Sequence, residues 1–224
     1  MCFYRPDVLA HVPPSPEFMA RMQTYVEASY KSGLLHDTGG LEPGGRGVRV
    51  RRSGDKITIT ESPLPPATSV IAGWAVIAAP TLAAAIEHAK NFLALVSDGE
   101  TEVRPMWVMP TMPAQYLMVY RPEGPEREIT PRPEQMAAMG KYVTELKQAG
   151  VLISTGSVGP TSQSKLVRLT AGQRTVIDGP FAEAKEMIAG FAVLEVASMA
   201  AAIEHTAEFL ALAGDGISEV RPLH

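Results

Sequence analysis

The chain has 224 residues, room for one or two domains around a buried core. Its 46% hydrophobic and 20% charged residues exclude a disordered chain, and a net charge of −4 leaves no electrostatic footprint for nucleic acid. The one cysteine, Cys2, cannot make an internal disulfide, and the first twenty residues contain Arg5, Asp7 and no apolar run long enough for a signal peptide or membrane span. A cytoplasmic location without a membrane partner is therefore expected.

In chain order, a first strand ends at Tyr4-Arg5-Pro6. Ser15 stands where it can cap a helix that has Pro16 at its first position, an apolar stripe of Met19, Met22 and Val26, and a stop at Gly33. The pattern then recurs. Laying residues 14–107 on residues 131–224, a shift of 117, gives 39 identities in 94 pairs, far above chance, which predicts two copies of one unit. Ile71-Ala72-Gly73 matches Ile188-Ala189-Gly190, and Glu102-Val103-Arg104-Pro105 matches Glu219-Val220-Arg221-Pro222. The copies are expected at residues 1–107 and 116–224, with residues 108–115, which hold Pro110 and Pro113, as a short stiff linker.

Within the second copy, Leu117 to Tyr120 reads as a buried strand. Pro133 opens a helix carrying Met136, Met139, Val143 and Leu146, and Gly150 ends it. Val151 to Ser154 is a second strand, and Leu166–Leu169 with Thr175–Ile177 form a hairpin about Ala171-Gly172. Ile188 to Val196 is a further strand, Ser198 to Ala213 a second helix, and Glu219 to Leu223 a last strand. Without the hairpin, each copy reads strand, helix, strand, strand, helix, strand, the order of the ferredoxin-like fold. A sheet covered by helices on one face needs a partner for the other. The expected fold class is therefore α+β, with two fused ferredoxin-like units, one per copy, forming a dimeric α+β barrel within one chain; this pseudo-dimer would enclose a shared interior. Independent units, or copies that dimerise between chains, are the alternatives, and the pseudo-dimer leaves room for a further homo-oligomer.

The run Asp178-Gly179-Pro180-Phe181-Ala182-Glu183-Ala184-Lys185-Glu186, followed by Ile188-Ala189-Gly190-Phe191 and by Glu219-Val220-Arg221-Pro222, resembles the YCII-related family and in particular its DGPF group. The resemblance covers the second copy and, through the repeat, the first. It implies a dimeric α+β barrel and, in the wider family, small-molecule enzymes that include a dehydrochlorinase and use a histidine and aspartate pair. It also implies frequent encoding beside extracytoplasmic-function sigma factors. The family's histidine near the start of the first helix is replaced by Gln135 in one copy and Phe18 in the other. Neither takes up a proton near neutral pH, so that chemistry does not carry over.

Asp178 and His205 are the candidate catalytic proton-transfer groups, and Tyr120, Phe181, Lys185, Glu186 and Arg221 the candidate ligand contacts. The plainer reading of Asp178 is a carboxylate tied to the amides of the Gly179-Pro180 turn. The first copy carries Glu61-Ser62-Pro63 there, which points to one asymmetric site. His205 matches His88 and also reads as a boundary histidine of its helix. Arg221 matches Arg104, each two residues after a glutamate on the same strand face, as a charge pair or an anion site. Tyr120 matches Tyr4, its ring packing or its hydroxyl offered to a ligand. Arg46, Arg49, Arg51 and Arg52 read as a solvated hairpin edge. No spacing of histidines or cysteines suits a metal and no glycine-rich loop opens a helix to hold phosphate, so no metal and no cofactor are expected. The expected function is small-molecule binding, either by an enzyme of lyase, isomerase or dehydrochlorinase type or by a non-catalytic regulatory module associated with an extracytoplasmic-function sigma factor.

Overall fold

The computed structural model describes residues 1–6, 15–42, 47–62, 64, 71–96, 98–108, 112–123, 132–180 and 188–223. In chain order these form β1 (Cys2–Pro6), α1 (Pro16–Lys31), β2 (Leu35–Gly40), β3 (Val48–Ser53), β4 (Lys56–Glu61), β5 (Gly73–Ala78), α2 (Leu82–Leu95) and β6 (Gly99–Pro105). There follow β7 (Gln115–Pro122), α3 (Pro133–Gln148), β8 (Leu152–Ser157), β9 (Lys165–Thr170), β10 (Gln173–Asp178), β11 (Gly190–Leu194), α4 (Met199–Ala213) and β12 (Gly216–Val220).

Local chemistry sets the ends of these elements. The hydroxyls of Ser15, Thr81 and Ser198 each accept the amide three residues on, at 3.2 Å, and so satisfy one free donor of α1, α2 and α4. The hairpins β3–β4 and β9–β10 are pinned alike at their tips. Asp98 accepts the Gly54 amide at 2.8 Å, and Asp215 accepts the Ala171 amide at 2.9 Å. Arg52 donates to the Leu93 carbonyl at 2.8 Å and the Val96 carbonyl at 3.2 Å, closing the C-terminal end of α2 with a cation.

Two compact units result, one made of Met1–Gly45 and Gly159–His224, the other of Arg46–Val158. Each holds one six-stranded antiparallel sheet. The strand order is β10-β9-β12-β1-β11-β2 in the first unit and β4-β3-β6-β7-β5-β8 in the second. Neither sheet comes from residues 1–107 alone or from residues 116–224 alone. β1, α1 and β2 join β9 to β12 and α4, whereas β7, α3 and β8 join β3 to β6 and α2. Taken as strand-helix-strand followed by hairpin and strand-helix-strand, each sheet places its non-hairpin strands in the order fourth, first, third, second, as a ferredoxin-like sheet does. The α+β class is thus observed, while each compact unit draws on both residues 1–107 and residues 116–224 rather than on one of these segments as expected. The reason is physical: the copies present nearly the same strand faces, and local periodicity does not say which of two equivalent partners a strand takes.

Each sheet carries its helices on one face. In the first unit Cys2, Val167, Ala202, Leu210 and Val220 build that core, and in the second Val48, Val50, Ala85, Ala89, Leu93, Val103 and Met118 do. Leu93 and Leu210 are fully buried, each contributing about 1.5–3 kcal/mol by leaving water. Because side chains alternate along a strand, the neighbours of these residues point to the helix-free face. No helix among the described residues is long and apolar enough to cross a membrane.

Candidate functional site: buried arginine and glutamate clusters

On the helix-free face of the second sheet, β3, β6 and β7 bring together Arg49, Glu100, Glu102, Arg104 and Arg121, all buried, Arg104 to 1% exposure. Glu102 is the hub. Its Oε2 lies 3.3 Å from Arg121 Nη1 and 3.4 Å from Arg49 Nη2, and its Oε1 lies 3.2 Å from Arg104 Nη1. Arg49 Nε also stands 3.3 Å from Glu100 Oε1, although neither atom is hydrogen-bonded among the described residues. Burial alone would push the Glu102 carboxyl up. The Arg121, Arg104 and Arg49 guanidiniums outweigh that and hold it below the usual carboxylate range. Gly47 makes room for the cluster, since a Cβ there would strike Arg104 Cδ.

The helix-free face of the first sheet carries a smaller version. Arg5 Nη2 donates to Glu219 Oε2 at 2.8 Å, and Arg221 Nη1 to Glu219 Oε1 at 3.4 Å. Arg221 also donates from Nε to the Gly159 carbonyl at 2.9 Å and from Nη2 to the same oxygen. Leu166 and Ile217 stand at the positions of Arg49 and Glu100. Arg5 is 4% exposed, yet its Nε and Nη1 have no acceptor among the described residues.

The other candidates lie apart from these clusters. Asp178 ends β10 with its side chain 77% exposed, and its Oδ1 accepts from Lys165 Nζ at 2.8 Å, directly across the hairpin. Among the described residues, Asp178 is therefore held by a lysine across the hairpin. The glycine after it has a packing role: a Cβ on Gly179 would overlap the Thr161 carbonyl, and the Gly179 amide donates to Ser164 O at 3.0 Å. His205 lies on α4 with Nδ1 3.2 Å from Glu208 Oε2. Tyr120 is on the helix side of its sheet, its ring edge-on to Phe92 at 5.1 Å, as Tyr4 is to Phe209 at 5.1 Å. Phe181, Lys185 and Glu186 lie outside the described residues. Of the sequence candidates among the described residues, only Arg221 joins a buried arginine and glutamate cluster.

The arginine-rich segment needs a correction. Of its described residues, Arg49 is buried in the Glu102 cluster, Arg52 closes α2, and only Arg51, paired with Glu123 at 2.9 Å, sits at a solvated edge. Arg46 lies outside the described residues. The missed signal was in the spacing: Val48 and Val50 mark one strand face as core, so Arg49 had to belong to the other, as did Glu102 on β6. Among the described residues, no three His, Cys, Asp or Glu side chains come together to hold a metal ion.

The chain is therefore a ferredoxin-like α+β protein with guanidinium groups set into the helix-free faces of its sheets. A model of the YCII-related domain matches residues 115–223. The uncharacterized protein R00369 of Rhizobium meliloti (strain 1021) is 38% identical over 88 residues, which span 39% of this chain and 68% of that protein. The chain belongs to the YCII-related family. No solved structure gives a significant match. The matched segment runs from β7 to just past β12, so it supplies β7, α3 and β8 to the second unit and the remainder to the first.

Proposed function

We propose that the protein is a small-molecule-binding member of the YCII-related family, with the polar contacts to its ligand made on the helix-free face of a sheet. The run from Asp178 to Glu186 supports placing it in the DGPF group. The observation that carries the reading is the burial of guanidiniums on those faces: Arg5, Arg49, Arg104, Arg121 and Arg221 are all less than a tenth exposed. Arginine is among the residues least often buried, and a sheet needing only a core fills such places with apolar side chains, as Leu166 and Ile217 do. Ligand sites, in contrast, set a few polar groups into apolar walls.

Binding is favoured over turnover. A lyase or isomerase needs its proton-transfer groups on one molecule, whereas Asp178 is held by Lys165 on a hairpin and His205 by Glu208 on a helix. Native mass spectrometry of the full chain tests the reading. A small molecule that survives purification and is released on denaturation is the expected result. A clean apo mass, together with no thermal stabilisation by any member of a broad small-molecule panel, overturns it.

A further inference from the structure

The first unit says more about the ligand, provided that the small-molecule reading above holds. We infer that Arg5 is a recognition site for the carboxylate of an otherwise apolar small molecule. Glu219 takes Nη2, the nitrogen shared by both bidentate edges of the guanidinium, and Nε and Nη1 have no acceptor among the described residues. Whichever edge Glu219 uses, the opposite edge offers two parallel N–H donors, a fork that fits two oxygens of one planar carboxylate. A buried donor left unpaired costs about 1–3 kcal/mol, so an acceptor that reaches this edge recovers energy the free protein lacks.

The neighbours narrow the class. Phe3 precedes Arg5 on the same face of β1, Phe191 stands opposite Phe3 on β11, and Ile217 stands opposite Arg5 on β12. Phe3, Phe191 and Ile217 are buried to 0%, 4% and 7% exposure. The side chains beside Arg5 on this face are aromatic and aliphatic, which suits the body of an aryl or alkyl acid. The Glu219 carboxylate, 2.8 Å from the same guanidinium, opposes a second negative charge, so a monocarboxylate fits better than a phosphate dianion.

Calorimetric titration of the full chain with benzoate, octanoate, their neutral amides and inorganic phosphate tests the inference. At least one of the two acids should bind saturably, its amide and phosphate about tenfold or more weakly. Arg5→Lys, which keeps the charge and loses the fork, should weaken that acid about tenfold, while Arg174→Gln, which removes an exposed cation from the same unit, should leave it within about twofold. Acid and amide binding alike, phosphate binding as tightly as acid, or Arg5→Lys binding like the parent each overturn the carboxylate assignment. No binding of either acid overturns it too. A co-purified neutral molecule in the native mass spectrum would then leave the small-molecule reading standing, and an apo spectrum with no stabilising ligand would remove both. Should Arg5→Lys not fold, the comparison of acid with amide on the parent chain decides alone.

Discussion

In the second unit Glu102 faces three guanidiniums and Arg49 is flanked by Glu100 and Glu102, whereas in the first Leu166 and Ile217 replace that extra pair and Glu219 faces two. The strand orders are the same, so the sheet does not need the Arg49–Glu100 pair in order to form. Apolar residues of suitable volume do the same architectural work without the desolvation cost of several kcal/mol per buried ion. What is common to both units is an arginine on the first strand, a glutamate on the last, and a second arginine two residues after it: Arg5, Glu219 and Arg221, or Arg121, Glu102 and Arg104. The difference separates a shared polar core from an addition made on one side only.

Removing the hub should give the largest effect. Glu102→Gln keeps the shape and leaves three guanidiniums around a neutral amide, and should cost about 3–5 kcal/mol in denaturant unfolding. Glu219→Gln leaves two and should cost less. Equal losses would mean that the number of opposed cations is not what distinguishes the clusters. The pH sign follows from the Glu102 carboxyl lying below its ordinary range: its contribution is present above the pKa of an unfolded glutamate and is lost as pH falls through the lower folded value. Glu102→Gln should therefore flatten the acid limb of the stability profile.

Importing the first unit's solution into the second is the next step down. Glu100→Ile alone leaves Arg49 with Glu102 and should cost about 1–3 kcal/mol. Adding Arg49→Leu should bring stability back to within about 1 kcal/mol of the parent, so that the double variant loses less than the two single changes summed. A double variant worse than either single change would show that the second unit depends on this pair after all.

Much of the scaffold was legible from residue patterns. Ser15, Ser198, Pro16, Gly33 and Gly150 marked helix ends, and the Ala171-Gly172 turn sits at the predicted hairpin tip, with positive φ at both residues. Those signals are local. Which β1-like strand pairs with which β11-like strand is a long-range choice between near-equivalent partners, and the exchange of halves was invisible for that reason. The buried arginines were half legible: alternation assigned Arg49 and Arg104 to a face, but an arginine's type suggests solvent, and only the fold shows that face to be buried. Asp178 drew notice through its motif, while its glycine does the visible packing.

The smallest expected effect concerns the paired histidines. His205 on α4 has Glu208 three residues on, Nδ1 to Oε2 at 3.2 Å, whereas the corresponding neighbour of His88 on α2 is Asn91, and His88 Nδ1 is buried with no hydrogen-bond partner among the described residues. Burial lowers the His88 pKa below the ordinary histidine value. The unfolded chain therefore takes up the proton first: the stability His88 contributes is intact above about pH 6.5 and declines as pH falls below it. Asn91→Glu places a carboxylate where the other helix has one, raises the folded pKa and shrinks that decline. Between about pH 7.5 and 5.5 the Asn91→Glu chain should lose less thermal stability than the parent, by a few tenths of a kcal/mol, the size of one exposed helical ion pair. Identical acid sensitivity in the two chains would mean that the difference between the helices at this position has no energetic consequence.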